Sequence, residues 1–125
     1  MSAIDYRLYL VTDDPSAYAR DFVEMGEAAI MGGVTVVQYR DTQSNDRTAY
    51  ARVRRLQDML RLHRIPLVMN NNVGLALAVG AEGIHVGQGD LPVALVRRLV
   101  GPKMEIGLSL TCADDVRAED LAVAD

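Results

Sequence analysis

Apolar residues in this chain gather in short runs that close on polar side chains. The clearest are Val34-Thr-Val-Val-Gln-Tyr-Arg40, Pro66-Leu-Val-Met-Asn-Asn-Asn72 and Gly83-Ile-His-Val-Gly-Gln-Gly-Asp-Leu-Pro92. Leu8-Tyr-Leu-Val-Thr-Asp13 and Glu105-Ile-Gly-Leu-Ser109 end the same way. Runs of this length, bounded by Gly, Pro or Asn, predict buried strands near 8–12, 34–39, 66–70, 83–86 and 105–109. Polar residues at the carboxyl ends of buried parallel strands stand where α/β proteins bind ligands.

Between these runs the apolar spacing changes to that of helices. Phe22, Met25, Ala29 and Ile30 predict a helix from Ser16 to Met31, entered at Pro15 or Ser16 and stopped by Gly32-Gly33. A second helix runs from about Asn45 to His63 with Tyr50, Val53, Leu56, Met59 and Leu60 on its buried side, and Pro66 forbids its continuation. A short third helix, Val73 to Val79, is closed by Gly80. A fourth carries Pro92 in its first turn, runs through Leu99 and leaves at Gly101-Pro102. A fifth begins around Ala113 with Val116 and Leu121 on one face, and Ala122 to Asp125 reads as the approach to a sixth strand.

Strand and helix alternate with short joints, so the expected fold class is α/β, a parallel sheet of βα units. Five consecutive units leave two open sheet edges, and closing into a barrel removes them. The expectation is a single domain over residues 1–125 that forms the N-terminal five βα units of a (β/α)8 TIM barrel and stops before the sixth strand. The chain has 125 residues, whereas a complete barrel needs roughly 200 or more. An independently folded open five-stranded sheet is the alternative. If the natural protein ends at Asp125, the edges predict a homo-oligomer.

Composition narrows the partners. A net charge of -4 supplies no basic field for nucleic acid or an anionic membrane. Arg52, Arg54, Arg55, Arg61 and Arg64 read as the solvated face of the second helix. No apolar run approaches the roughly 20 residues of a membrane span, and Asp5 and Arg7 stand where a signal peptide would be apolar, so a cytoplasmic location is expected. Cys112 is the single cysteine, which excludes an intrachain disulfide, and it reads as a small residue at a helix start.

Gln38 and Arg40 are two apart at a strand end and share a face. An Arg fork matches phosphate oxygens and an adjacent amide can complete the clamp; the competing reading is a surface ion pair of Arg40 with Asp41 or Asp46. Asn70, Asn71 and Asn72 lead directly into the short helix, and capping accounts for one of them. Gly87 and Gly89 allow a tight turn or the close approach of a ligand. Asp90 either offers oxygen to a hard cation such as magnesium or caps the helix after Pro92. His85, two residues inside its strand's end, is either a barrel-interior histidine or a ligand contact.

Together, Leu8–Asp13, Gly33–Arg40, Ile65–Asn70, Leu75–Pro92 and Ile106–Ser109 resemble the thiamine-phosphate synthase family, in order and with family-like spacing. The resemblance implies a (β/α)8 barrel that couples hydroxymethylpyrimidine diphosphate to thiazole phosphate and releases pyrophosphate with Mg2+ bound. It implies that Gln38, Arg40 and Asn70 contact the pyrimidine diphosphate, that Asp90 binds magnesium with Asn71 in place of the family's other carboxylate, and that Ser109 lies near the reacting diphosphate as the catalytic residue. The chain departs from the pattern at three positions: Thr42 stands where the family has Lys, and Asn71 and Asn72 where it has Asp and Arg. These substitutions leave open an impaired enzyme or a non-catalytic protein that binds a thiamine precursor or phosphate. The related thiazole tautomerase relies on a His after the fifth strand, where this chain has Thr111.

Overall fold

The computed structural model describes residues 4–125. Five parallel strands, β1 (Tyr9–Val11), β2 (Val36–Tyr39), β3 (Leu67–Asn70), β4 (Gly83–Val86) and β5 (Glu105–Leu108), pair in chain order. Helices α1 (Phe22–Met31), α2 (Asp46–Leu62), α3 (Val73–Val79), α4 (Val93–Val100) and α5 (Ala118–Leu121) fall after successive strands. The strand order never reverses. A doubly wound sheet reverses at its switch point, so this is the sequential arrangement of a TIM barrel.

Side-chain parity divides the sheet into two faces. Val37, Tyr39, Leu67, Met69, Ile84, Val86 and Ile106 join one core with Phe22, Val53, Leu56, Leu60, Ala76 and Val96 of the helices. Gln38, Asn70, His85 and Gly107 alternate with these residues and turn to the opposite face, where the register places Asn70 beside His85 and His85 beside Gly107.

α2 follows the expected bounds. Asn45 caps it by accepting from the Thr48 N–H at 2.9 Å, and His63 ends it. Its buried centre contains Ala49 and Gln57, while Tyr50 is 43% exposed. One residue turns the helix by about 100°, so Ala49 takes the inward position and Tyr50 stands at the rim of the apolar stripe. α3 lies as expected, with Gly80 at φ 64° in the left-handed conformation at its end.

Tyr50 thus departs from the buried position expected of it, and three further expectations are corrected. The first helix does not begin at Ser16. Pro15–Ala17 is a 3-10 turn, Tyr18 is extended, and α1 starts after Asp21, whose carboxylate accepts from the Val23 and Glu24 N–H groups. A stronger cap later in the chain sets the start. Pro92 precedes α4 at its N-cap instead of lying within the first turn, and the helix extends to Val100. The segment after Cys112 is a 3-10 turn, Ala113–Asp115, followed by the four-residue α5, and both Val116 and Leu121 are exposed. The Asp115 carboxylate gathers the Thr111 and Cys112 N–H groups and the Thr111 hydroxyl, which favours a tight turn over a longer helix. Beyond α5, the Asp125 N–H donates to the Ile106 carbonyl at 2.8 Å, alongside β5.

The α1–α2 contact runs over Gly26, where an added Cβ would lie 3.4 Å from Leu56 Cδ1 and 3.2 Å from Met59 Cε. Leu56→Ala is therefore expected to cost about 2–5 kcal/mol in urea unfolding. Tyr50→Ala, at the rim of the same helix, should stay within about 0.5 kcal/mol.

Candidate functional site

Because all five strands are parallel, their carboxyl ends form one rim. Arg40 directly follows β2, Asn70 closes β3, Asn71 and Asn72 follow it, Gly87 to Asp90 follow β4, and Ser109 follows β5. The polar strand endings read from the sequence thus converge on one end of the sheet.

Behind the rim the inner face carries two hydrogen-bonded groups. Gln38, 4% exposed, donates from Nε2 to the Tyr9 hydroxyl at 2.9 Å and accepts at Oε1 from Asn70 Nδ2 at 2.8 Å. Both ends of its amide are therefore engaged within the protein, and Gln38 orients Asn70 more than it faces the rim itself. Burial raises the Tyr9 phenol above its ordinary value, which keeps the hydroxyl neutral.

In the second group His85 Nε2 lies 2.7 Å from Ser109 Oγ. Its ring covers Gly107, where a Cβ would stand 2.5 Å from His85 Nδ1, so only glycine leaves room. Burial pushes the imidazole below its ordinary value, and the Asp90 carboxylate partly opposes this. A groove of about 280 Å3 beside this pair is lined by Tyr6, Tyr9, Val68, Leu108 and Asp125 among others. A larger depression of about 840 Å3 opens at the amino ends of the strands, around Pro66, Ala81 and Met104. It lies away from every strand-end residue named above.

Arg40 is exposed, and among the described residues its guanidinium makes no ion pair. The ion pair with Asp41 or Asp46 that the sequence left open is not formed among the described residues, and both carboxylates have other partners. Asp41 binds Tyr39 Oη at 2.6 Å and Arg52 Nη1 at 3.3 Å, and Asp46 accepts from Asn72 Nδ2 at 3.0 Å. The Arg40 main chain is fixed by buried Thr12, whose hydroxyl accepts from the Arg40 N–H at 3.0 Å and donates to its carbonyl at 3.4 Å. Thr42 N–H donates to Asp14 Oδ1 at 3.0 Å, which ties the loops after β1 and β2 together.

The three asparagines divide their tasks. Asn70 belongs to the inner network, and Asn72 caps α3 by accepting from the Leu75 N–H at 3.0 Å. Asn71 is exposed, takes φ 49°, and donates its N–H to the His85 carbonyl at 2.8 Å. Asp90 does not cap α4. Its Oδ2 accepts from the Gly87 N–H at 2.7 Å, which closes the loop on itself. Neither Gly87 nor Gly89 takes a positive φ, so the tight turn expected there does not depend on glycine. Among the described residues no three His, Cys, Asp or Glu side chains are grouped to hold a metal.

Sequence reading did not single out Thr12, Tyr9, Gly107 or the Asp41–Arg52 pair as functional. The signal for Thr12 was present, since it is a polar residue closing an apolar run. Gly107 is explained only by the neighbouring strand.

Sequential βα units with polar residues gathered at the carboxyl rim define a protein of the TIM-barrel type. The family model described as thiamine monophosphate synthase matches residues 8–125, and the chain belongs to that family. It is 47% identical over 118 residues to the thiamine-phosphate synthase of Albidiferax ferrireducens, covering 94% of this chain and 54% of the relative. It is likewise 47% identical over 106 residues to that of Chloroflexus aurantiacus, covering 85% of this chain and 49% of the relative. The solved thiamine phosphate pyrophosphorylase from Pyrococcus furiosus superposes with a TM-score of 0.77 at 28% identity, over 86% of this chain and 52% of that one. The chain therefore spans about half the length of the curated relatives it matches. Among the described residues no helix is long and apolar enough to cross a membrane.

A half-buried imidazole whose folded value is depressed binds fewer protons than the unfolded chain below the ordinary 6.5. The stability it contributes is present above that value and is lost as pH falls through the lowered one. Titration by NMR should place His85 below 6.5, and a His85→Phe variant should flatten the fall in stability as pH drops below the ordinary 6.5. Gly107→Ala, by displacing the ring from Ser109, should shift the same titration.

Proposed function

We propose that this chain supplies the diphosphate-holding part of a thiamine-phosphate synthase site, as a single domain forming the N-terminal part of a TIM barrel. The reaction is transfer of the pyrimidine methylene carbon from diphosphate to the thiazole nitrogen of a thiazole phosphate, with release of pyrophosphate. The observation that carries this reading is Arg40, an unpaired guanidinium on the carboxyl rim whose neighbouring carboxylates are both engaged elsewhere. Such a fork is available to phosphate oxygens without first breaking an ion pair.

The chemistry asks the protein to hold the diphosphate, orient the pyrimidine and stabilise departing charge. Arg40 serves the diphosphate. Asn70, held by Gln38, serves the substrate from the neighbouring strand, and Ser109, hydrogen-bonded to His85, lies near the reacting diphosphate. Mg2+ fits as an ion that arrives with its substrate, because Asp90 has one oxygen outside its own loop and Asn71 adds a neutral oxygen. When bound, it would neutralise diphosphate charge. Thiazole phosphate is the second substrate, nucleic acid and membrane are not partners, and the protein acts in the cytoplasm.

The substitutions favour a second reading, a protein that binds a thiamine precursor or phosphate without turnover. Asn72 is committed to capping α3, and neither Thr42 nor Asn71 brings charge to the rim. Homo-oligomerisation would cover the open edge of β1, which light scattering would detect.

In the full natural chain, Arg40→Ala should weaken magnesium-pyrophosphate binding about tenfold or more by calorimetry, the loss of a charge-assisted fork. Unchanged affinity would reject Arg40 as the diphosphate ligand. Asn71→Asp should tighten magnesium binding and Thr42→Lys should tighten diphosphate binding. Pyrophosphate release from the pyrimidine and thiazole substrates separates the readings, since the enzyme reading predicts turnover and the binding reading predicts none.

A further inference from the structure

Asp41 directly follows Arg40, yet the two do not pair. The Asp41 side chain is 1% exposed and is enclosed by donors from its own loop and from α2. It accepts from the Tyr39 hydroxyl at 2.6 Å, from the Gln43 and Ser44 N–H groups at 3.0 Å each, and from Arg52 Nη1 at 3.3 Å. The same Arg52 nitrogen donates to Ser44 Oγ at 2.6 Å. Burial works to raise the Asp41 carboxyl, but the hydrogen bonds from Tyr39, Ser44 and Gln43 hold it well below the usual carboxylate range. It is therefore ionised, and Arg52 is the one cation paired with it among the described residues.

We infer that Arg52 is a positioning residue that neutralises and retains the Asp41 carboxylate, so that the Arg40 fork stays unpaired for a diphosphate. The inference rests on the reading of Arg40 as the diphosphate ligand. Thr12 holds the Arg40 main chain from the β1 side, and Asp41 orders the loop on the other side. Between them the backbone that carries the guanidinium is held on both sides. Without Arg52, the Asp41 carboxylate keeps its Tyr39, Gln43 and Ser44 donors but loses its one cationic partner, so an uncompensated negative charge beside Arg40 opposes an incoming diphosphate. Arg52 lies on α2, twelve residues along the chain from Arg40, so it acts through Asp41 and not on the ligand.

The test uses the full natural chain, inorganic pyrophosphate with magnesium as the probe, and calorimetry at fixed salt. Arg52→Gln is expected to weaken binding about three- to tenfold, the effect of releasing one partly buried charge. Arg52→Lys, which keeps the charge, should remain within about twofold of wild type. Removing the carboxylate in Arg52→Gln/Asp41→Asn should restore affinity, which a direct or merely structural role for Arg52 would not produce. Circular dichroism and thermal melts identify any variant that fails to fold, in which case Arg52→Lys and Asp41→Asn alone carry the comparison, with Asp41→Asn expected to bind at least as tightly as wild type. If Arg40→Ala weakens binding but Arg52→Gln does not, or the double variant stays weak, the role given to Arg52 is overturned. If Arg40→Ala itself binds like wild type, the diphosphate reading fails instead.

Discussion

Everything at the candidate site depends on consecutive parallel pairing with the helices on one face. That arrangement fixes the two-residue parity of every strand. One set of side chains enters the helix-packed core, and the other faces the interior or emerges at the carboxyl rim. Gln38 and Asn70, distant in sequence, meet because they lie on adjacent strands of the same parity, and His85 meets Ser109 for the same reason. A one-residue slip in any pairing would turn these groups into the helix layer, where nothing could satisfy them. Among the described residues no buried side-chain polar atom lacks a partner.

Electrostatics then sorts the rim. Asp41 and Asp46, the carboxylates nearest Arg40 in the sequence, each have partners, one in Tyr39 and Arg52 and the other in Asn72, while Thr12 fixes the arginine's main chain. Buried charges persist only where several donors meet them, and Asp41 satisfies that condition with four. The organisation of this loop is thus as much about keeping opposite charges apart as about bringing them together.

Membership of the thiamine monophosphate synthase family accounts for the order of the strand endings, and the departures from its pattern have different physical weights. Asn72 is absorbed by helix capping and a hydrogen bond to Asp46, so the position retains a structural task. Asn71 occupies a left-handed conformation that Asn and Asp both tolerate, so the backbone there does not demand the amide. Thr42 contributes its main-chain N–H to Asp14, a bond that any residue other than proline could make.

The sequence by itself determined the five strands, the bounds of α2 and α3, the α/β class and the rim on which Arg40, Asn70, Asp90 and Ser109 stand, while Gln38, expected there too, lies buried behind it. These follow from periodicity, strand-end polarity and helix punctuation, which are local properties of the chain. It failed at the start of α1, where Asp21 caps more strongly than Ser16, and at Val116 and Leu121, where the Asp115 turn broke the expected helix. Only the tertiary structure decided that Gln38 is spent on Tyr9 and Asn70, that Gly107 must leave room for the His85 ring, and that Asp41 belongs to Arg52 and not to its neighbour Arg40. Each of these is a choice among partners brought together across strands or between a loop and α2. Spacing along one segment cannot rank such partners, because their distances exist only once the sheet has paired and the helices have packed.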